Sequence, residues 1–560
     1  MLYINQLPLV IVTNILRFAA DSHRQGNNSW KDQLHLLTVC STWRRLASRM
    51  LYRHIYLEYT TNHSDHTGKP IWKTNVNLAA MTNNTRKVKT VQIELSEFEM
   101  TVDALNALKS LFGFGRLNWN RVNFLDLKLY LVNGAVSEDE RQIPLGNLPQ
   151  LELESEMELE MENDLAQFAQ TMAQCMPHVT RLNLDAYTTD SMAKIIGNTL
   201  VNEYAGQLKF IKSISNLEFQ NTRTFGHLEY LKTTLSIDCK SLLPKVNPET
   251  LGYLELSNVT QSFSWDAFSG DSCGSSNTIV FKNLVYLKMN FSAMPFLDMM
   301  SDAMSDRSRH GTGKNYRVHF PKLRVLKLHG DPAQTDFMTT DMYPDYLEEL
   351  RVYGDPGNLA VWKDSSIRSM SGLYMSVFSA SNKEEDVFYQ STNHFFSDGD
   401  MVECAEMTLF ALDFPLDLDR VCWTNISTLS TMLSVDYSTV RALVSKLPQL
   451  EQLNTFMLKS GDLPAEYRGV TTPEQALGLD LAPLDSQLAH LCIYNNTYLT
   501  WGARLDAAAL QLLVLQTQSL ESLVIHNPEL HDIMVDFIHT FKAYFKHLNC
   551  IEVILSNFYV

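Results

Sequence analysis

Residues 320–330 read FPKLRVLKLHG. Leu326 and Leu328 flank a single polar residue, and that spacing of two puts both side chains on one face of a strand. Leu323 precedes them by three residues, just after a Phe-Pro turn that cannot continue a helix. The unit is therefore a turn, an anchoring leucine, and a short strand with one buried face.

The same spacing recurs along the chain. It appears as Val88/Val91/Ile93, Val122/Leu125/Leu127, Val179/Leu182/Leu184 and Leu251/Leu254/Leu256. It returns as Leu284/Leu287/Met289, Leu347/Leu350/Val352, Leu488/Leu491/Ile493, Leu520/Leu523/Ile525 and Leu548/Ile551/Val553. Weaker copies begin at Leu228, Leu409 and Leu450. Phe-Lys-Asn-Leu, Leu-Pro-Gln-Leu and Phe-Lys-His-Leu introduce some of them as Phe-Pro-Lys-Leu introduces the first. One such motif is weak, since any amphipathic strand produces it; a long ordered series is not.

This series resembles a leucine-rich repeat, in which each unit gives one strand and units stack into a horseshoe. Regular members repeat every ~20–29 residues. Here Leu323 and Leu347 lie 24 residues apart, but Val122 and Val179 lie 57 apart. The longer intervals predict helical returns or inserted loops, with loops expected at 260–277, 301–316 and 379–400. The expected fold is α/β, with an irregular solenoid over residues 85–560 and a linker at 59–84.

The resemblance implies that residues between the buried leucines line a concave, partner-binding face. Those expected there are Arg181, Asn183, Tyr286, Lys288, Lys327, His329, Arg351, Tyr353, His490, Tyr494 and His526. Aromatic and Arg side chains are favoured anchors in protein interfaces.

Residues 1–58 carry a different pattern. Pro8 suits the first turn of a helix, where its missing N–H is harmless. Ile11, Ile15 and Phe18 then fall on one face, with Leu16 beside it. DSHRQGNNSWK, residues 21–31, is a polar loop. A second helix from about residue 34 to 50 aligns Val39, Cys40, Trp43, Leu46 and Ala47. So few residues bury little surface alone, and a partner surface is expected to cover them.

Leu7-Pro8, Ile15-Leu16, Val39-Cys40-x-x-Trp43-Arg44-x-Leu46-Ala47 and Leu51-Tyr52 together resemble an F-box. With the repeats, they resemble the fungal-type F-box/leucine-rich-repeat proteins. That resemblance implies a three-helix module docking on a Skp-type adaptor, and through it a cullin, by Leu7, Pro8, Ile11, Ile15, Leu16, Val39, Cys40, Trp43 and Leu46. It further implies a substrate receptor of a ubiquitin ligase in the cytoplasm or nucleus, holding an unidentified protein on the repeats and making no bond itself. The residues alone also allow a helical cap on a scaffold that meets no adaptor.

The chain has 46 Lys and Arg against 63 Asp and Glu, a net charge of −17. Phosphate neutralisation needs a basic face, so a nucleic-acid partner is not expected, nor is a polybasic membrane anchor. No apolar run approaches the ~18 residues of a bilayer span. The eight scattered cysteines predict buried thiols in a reducing compartment.

No catalytic residue, cofactor or metal is expected. Gly270-Asp-Ser-Cys-Gly274 matches the hydrolase pattern around Ser272, but it lies in a Gly/Ser-rich loop without the required strand and helix. Gly311-Thr-Gly-Lys314 is only part of a phosphate loop. His526 and His531 are separated by a proline and do not form a helical zinc pair. The acidic run LELESEMELEME, 151–162, alternates Glu with apolar or small residues. It is expected as an edge strand, an acidic lip or a solvated insertion.

Overall fold

In a computed structural model, the chain folds as two units: Met1–Val259 with Trp265–Leu284, and Thr260–Ser264 with Val285–Val560. The structure describes residues 41, 44, 46, 52–61, 70–81, 83–114, 116–132, 148–186, 191–216, 224–235, 243–259, 265–268, 278–291, 317–329, 344, 346–353, 369–377, 382–396, 403–412, 416–459, 475, 484, 486–494, 507–526, 528–543, 545 and 547–553.

The first unit runs β1 (His54–Thr61), β2 (Pro70–Thr74), α1 (Val76–Met81), β3 (Thr90–Glu99), α2 (Val102–Phe112) and β4 (Phe124–Val132). It continues α3 (Leu148–Cys175), β5 (Arg181–Ala186), α4 (Ser191–Tyr204), β6 (Phe210–Asn216), β7 (Tyr230–Thr234), β8 (Tyr253–Val259) and the short β9 (Thr278–Val280). The sheet order is β2-β1-β3-β4-β5-β6-β7-β8, parallel throughout except for antiparallel β2. Parallel neighbours need crossovers, and α2, α3 and α4 supply them between β3 and β6.

The middle apolar residues fall into one register row: Ile55, Val91, Leu125, Leu182, Ile211, Leu231 and Leu254. Each is 0% exposed. This dry row is the core on which the helices and turns rest.

The second unit contains β10 (Tyr286–Phe291), β11 (Arg317–His319), β12 (Val325–His329), β13 (Tyr346–Tyr353), β14 (Ser369–Val377), α5 (Asn382–Phe396) and β15 (Glu403–Leu412). Then follow β16 (Thr428–Asp436), α6 (Tyr437–Lys446), β17 (Gln452–Lys459), β18 (His490–Tyr494), α7 (Ala507–Gln516), β19 (Ser522–Ile525), α8 (Pro528–Thr540) and β20 (Cys550–Val553). β10 and β12 to β20 pair in parallel, in chain order. Their buried row runs Leu287, Leu326, Leu350, Leu373, Met407, Leu429, Leu453, Leu491 and Leu523.

The Phe-Pro-Lys-Leu turn has a direct physical reading. The Leu323 N–H donates to the Phe320 carbonyl at 3.2 Å, closing a four-residue turn. Phe320 and Leu323 are then both buried beneath the strand that follows. Leu284 on Phe281 repeats the arrangement at 3.4 Å.

Four expectations need correction. The sheet begins at β1, within the expected 1–58 module, and β2 and α1 lie within the expected linker 59–84, because Tyr52, Ile55 and Leu57 are themselves a buried copy of the repeat. The acidic run 151–162 lies within helix α3 and is not an edge strand. Leu, Glu and Met are strong helix formers, and that propensity overrides the alternating pattern. The expected loop at 379–400 holds α5, whose Phe388 and Phe396 pack on Trp423 with ring centroids 6.4 and 6.2 Å away. Leu409 closes a copy (Cys404/Met407/Leu409) instead of opening one, as its pairing with Met375 fixes.

The expected thiol burial is also incomplete. Cys175, Cys492 and Cys550 are half-buried and Cys422 is exposed, all as free thiols. The loop at 301–316, Ser272 and Gly311–Lys314 lie outside the described residues.

Helix α2 shows how tightly the ends are specified. The Thr101 hydroxyl accepts from the Ala104 N–H at 3.2 Å, and Gly113 closes the helix at φ +53°. Gly113→Ala forces an L residue into that left-handed conformation. A loss of about 1 kcal/mol is expected, read from the urea midpoint.

Candidate protein-interaction face

Between the buried rows, alternate strand residues face the other side of each sheet. In the second unit, Lys288, Lys327 and Arg351 stand in one register row on adjacent strands β10, β12 and β13. The Lys327 ammonium lies 5.4 Å over the Tyr286 ring and 2.9 Å from a Glu349 carboxylate oxygen, which also pairs with Arg351. The side chains of Lys327, Arg351 and Glu349 are 19%, 29% and 23% exposed, so the cluster is half-desolvated and its attractions exceed those of a freely hydrated pair. Two cations, Lys327 and Arg351, share one carboxylate here, in a chain that is acidic as a whole.

The structure thus brings together four of the residues expected on this face: Tyr286, Lys288, Lys327 and Arg351. Tyr353 follows in register with His329, but its side chain lies outside the described residues. His490 and Tyr494 are not part of the cluster. They sit on β18, with β14 to β17 between. There Tyr494 meets His526 with ring centroids 4.5 Å apart. Burial raises the Cys492 thiol and the Tyr494 phenol, and it lowers His526 below the ordinary imidazole value. Each shift favours the neutral form, so this end of the face carries little charge.

The first unit holds a column that single motifs did not reveal. Phe124, Arg181, Phe210, Tyr230 and Tyr253 occupy one register row. Phe210 stacks on Tyr230 at 4.2 Å, and Tyr230 on Tyr253 at 4.1 Å. Each precedes the middle apolar residue of its repeat. Aligning the copies on that residue is the signal that would have found them. The next row carries Asp126, Asn183, Lys212, Lys232 and Glu255. Glu255 accepts from Lys232 at 2.8 Å and from the Tyr253 hydroxyl at 2.9 Å. Lys128 donates to Glu94 at 2.9 Å, and that bond raises the ammonium pKa.

Of the residues expected to meet an adaptor, only Leu46 is described. It is helical and 9% exposed, while Ser41 and Arg44, also helical, are exposed. Leu7, Pro8, Ile11, Ile15, Leu16, Val39, Cys40 and Trp43 lie outside the described residues.

Among the described residues, no group of three or more His, Cys, Asp or Glu side chains could hold a metal ion. No described helix is long and apolar enough to cross a membrane. Compared with known proteins, the chain matches no family model and no curated protein.

Proposed function

We propose that the chain is a protein-binding receptor: an F-box protein whose irregular leucine-rich-repeat solenoid holds a target while its N-terminal helices dock a Skp-type adaptor and cullin. The observation that carries this reading is the open sheet face. Tyr286, Lys288, Lys327 and Arg351 stand side by side on three adjacent strands, half-exposed, the residue types that anchor interfaces. The ligase role is supported by the F-box resemblance of residues 5–57. Its catalysis would be by proximity, raising the target's effective concentration near a ubiquitin-charged enzyme on other subunits.

The test is co-expression of the full chain with a Skp adaptor and size-exclusion chromatography. Co-elution is expected, and Trp43→Ala and the double Leu7→Ala/Pro8→Ala variant are expected to reduce it at least about tenfold, the scale of a lost central anchor. Circular dichroism checks that the variants keep the wild-type fold. A folded wild-type chain eluting alone would overturn the ligase reading.

A second reading has one observation in its favour. Leu46 is already covered by the chain itself, as a residue of an N-terminal cap would be. On that reading the protein is a repeat scaffold without an adaptor.

A further inference from the structure

Arg181 is held unlike the other cations of the first unit's open face. Its guanidinium carbon lies 4.9 Å from the Phe124 ring centroid and 4.9 Å from that of Phe210, so an aromatic ring flanks it from each neighbouring strand. Lys128 and Lys232 have carboxylate partners at 2.9 and 2.8 Å. Arg181 has none, and its side chain makes no hydrogen bond among the described residues. It is exposed.

Lys212 stands diagonally from it on the next strand, since Arg181 pairs with Phe210 and Asn183 with Lys212. Lys212 is half-exposed and likewise has no acidic partner among the described residues. The nearby Asp126 accepts from the Asn183 amide at 2.5 Å, and the Asn183 carbonyl oxygen stays buried without a donor. An exposed guanidinium and a half-exposed ammonium without carboxylate partners among the described residues can take an anionic ligand.

We infer that Arg181 and Lys212 form the seat for an extended segment of a partner protein bearing two carboxylates two residues apart. The inference rests on the open face holding a protein. The two rings hold the guanidinium in place, and its exposed planar N–H edge matches a carboxylate bidentately. Strands lie about 4.8 Å apart and rise about 3.3 Å per residue, so a diagonal step of one strand and two residues spans about 8 Å. Carboxylates at i and i+2 of an extended peptide are separated by about 7 Å, within reach of the flexible Lys212. Two cations without acidic partners on an otherwise acidic chain select for this anionic pair.

The test uses the full-length protein on an array of twelve-residue peptides with randomised backgrounds. The arms carry two Asp at spacings of one, two and three, the same with Asn, and the same with phosphoserine. Retention should be greatest for Asp at spacing two and at least about tenfold weaker for Asn, as for a lost charge-assisted bidentate pair. Arg181→Gln should remove that preference. Arg181→Lys, which keeps charge without the fork, should retain it about fivefold more weakly. Lys212→Gln should erase the spacing dependence. Thermal melts confirm that each variant folds.

No retention by the folded wild type, equal retention of Asp and Asn peptides, or indifference to Arg181→Gln would overturn the proposal. Phosphoserine preferred at every spacing would overturn it too, replacing a carboxylate pair by one phosphate. Retention that depends on Lys288, Lys327 and Arg351 but not on Arg181 would leave the receptor reading standing and this one false. Failure of adaptor co-elution alone would do the reverse.

Discussion

Trp119→Ala is expected to lower stability by about 3–5 kcal/mol, the largest single-residue effect in the first unit. Trp119 is 0% exposed, and its indole N–H donates to the Phe112 carbonyl at 3.0 Å, beyond the end of α2. Its ring lies against Phe112 at 5.8 Å, Phe112 stacks on Phe114 at 5.5 Å, and Phe114 meets Phe168 of α3 at 6.0 Å. Truncation leaves a cavity under the start of β4 and a carbonyl without its donor. Trp119→Phe separates the two terms: it keeps most of the volume and loses only the hydrogen bond, about 1–2 kcal/mol. Urea unfolding followed by tryptophan fluorescence and circular dichroism measures both. An alanine variant within about 1 kcal/mol of wild type would mean that the segment collapses to fill the space.

Lys232→Met is expected to lower stability by about 3 kcal/mol. The Glu255 side chain is 5% exposed, and Lys232, 29% exposed, is its cationic partner at 2.8 Å. Removing the ammonium strands a buried carboxylate, the costly half of breaking a buried ion pair. The loss sits at the lower end of the usual range because Lys232 is partly hydrated and the Tyr253 hydroxyl still donates to Glu255. The double variant Lys232→Met/Glu255→Leu removes both charges and should regain most of the loss. If the single variant unfolds within about 0.5 kcal/mol of wild type, the pair behaves as a surface pair.

The strands were legible wherever three apolar side chains mark them, as at Val91 and Ile93 or Leu326 and Leu328. Copies became faint where the third position is Ser or Thr. Ser213, Thr233, Thr431 and Thr455 are all buried there, and a hydroxyl breaks the apolar pattern without breaking the strand. Tyr52, Ile55 and Leu57 were obscured by following a helix, so they read as its exit. The cluster of Lys288, Lys327 and Arg351 was legible as a face. The contact of Arg181 with Phe124 and Phe210 was not, because it depends on which strands become neighbours across long intervals of chain. The division of the chain into two units left no compositional mark.

From β3 to β8 in the first unit, and over β10 and β12 to β20 in the second, strand order follows chain order, and this has a bearing on how the protein can change over generations. The positions of Lys288, Lys327 and Arg351 depend on two strand junctions alone. A crossing elsewhere can lengthen without moving them, and chain-closure entropy rises only logarithmically with length. The irregular intervals between repeats are thus nearly neutral to stability. New recognition residues can be gained strand by strand, while the rest of the face keeps its spacing.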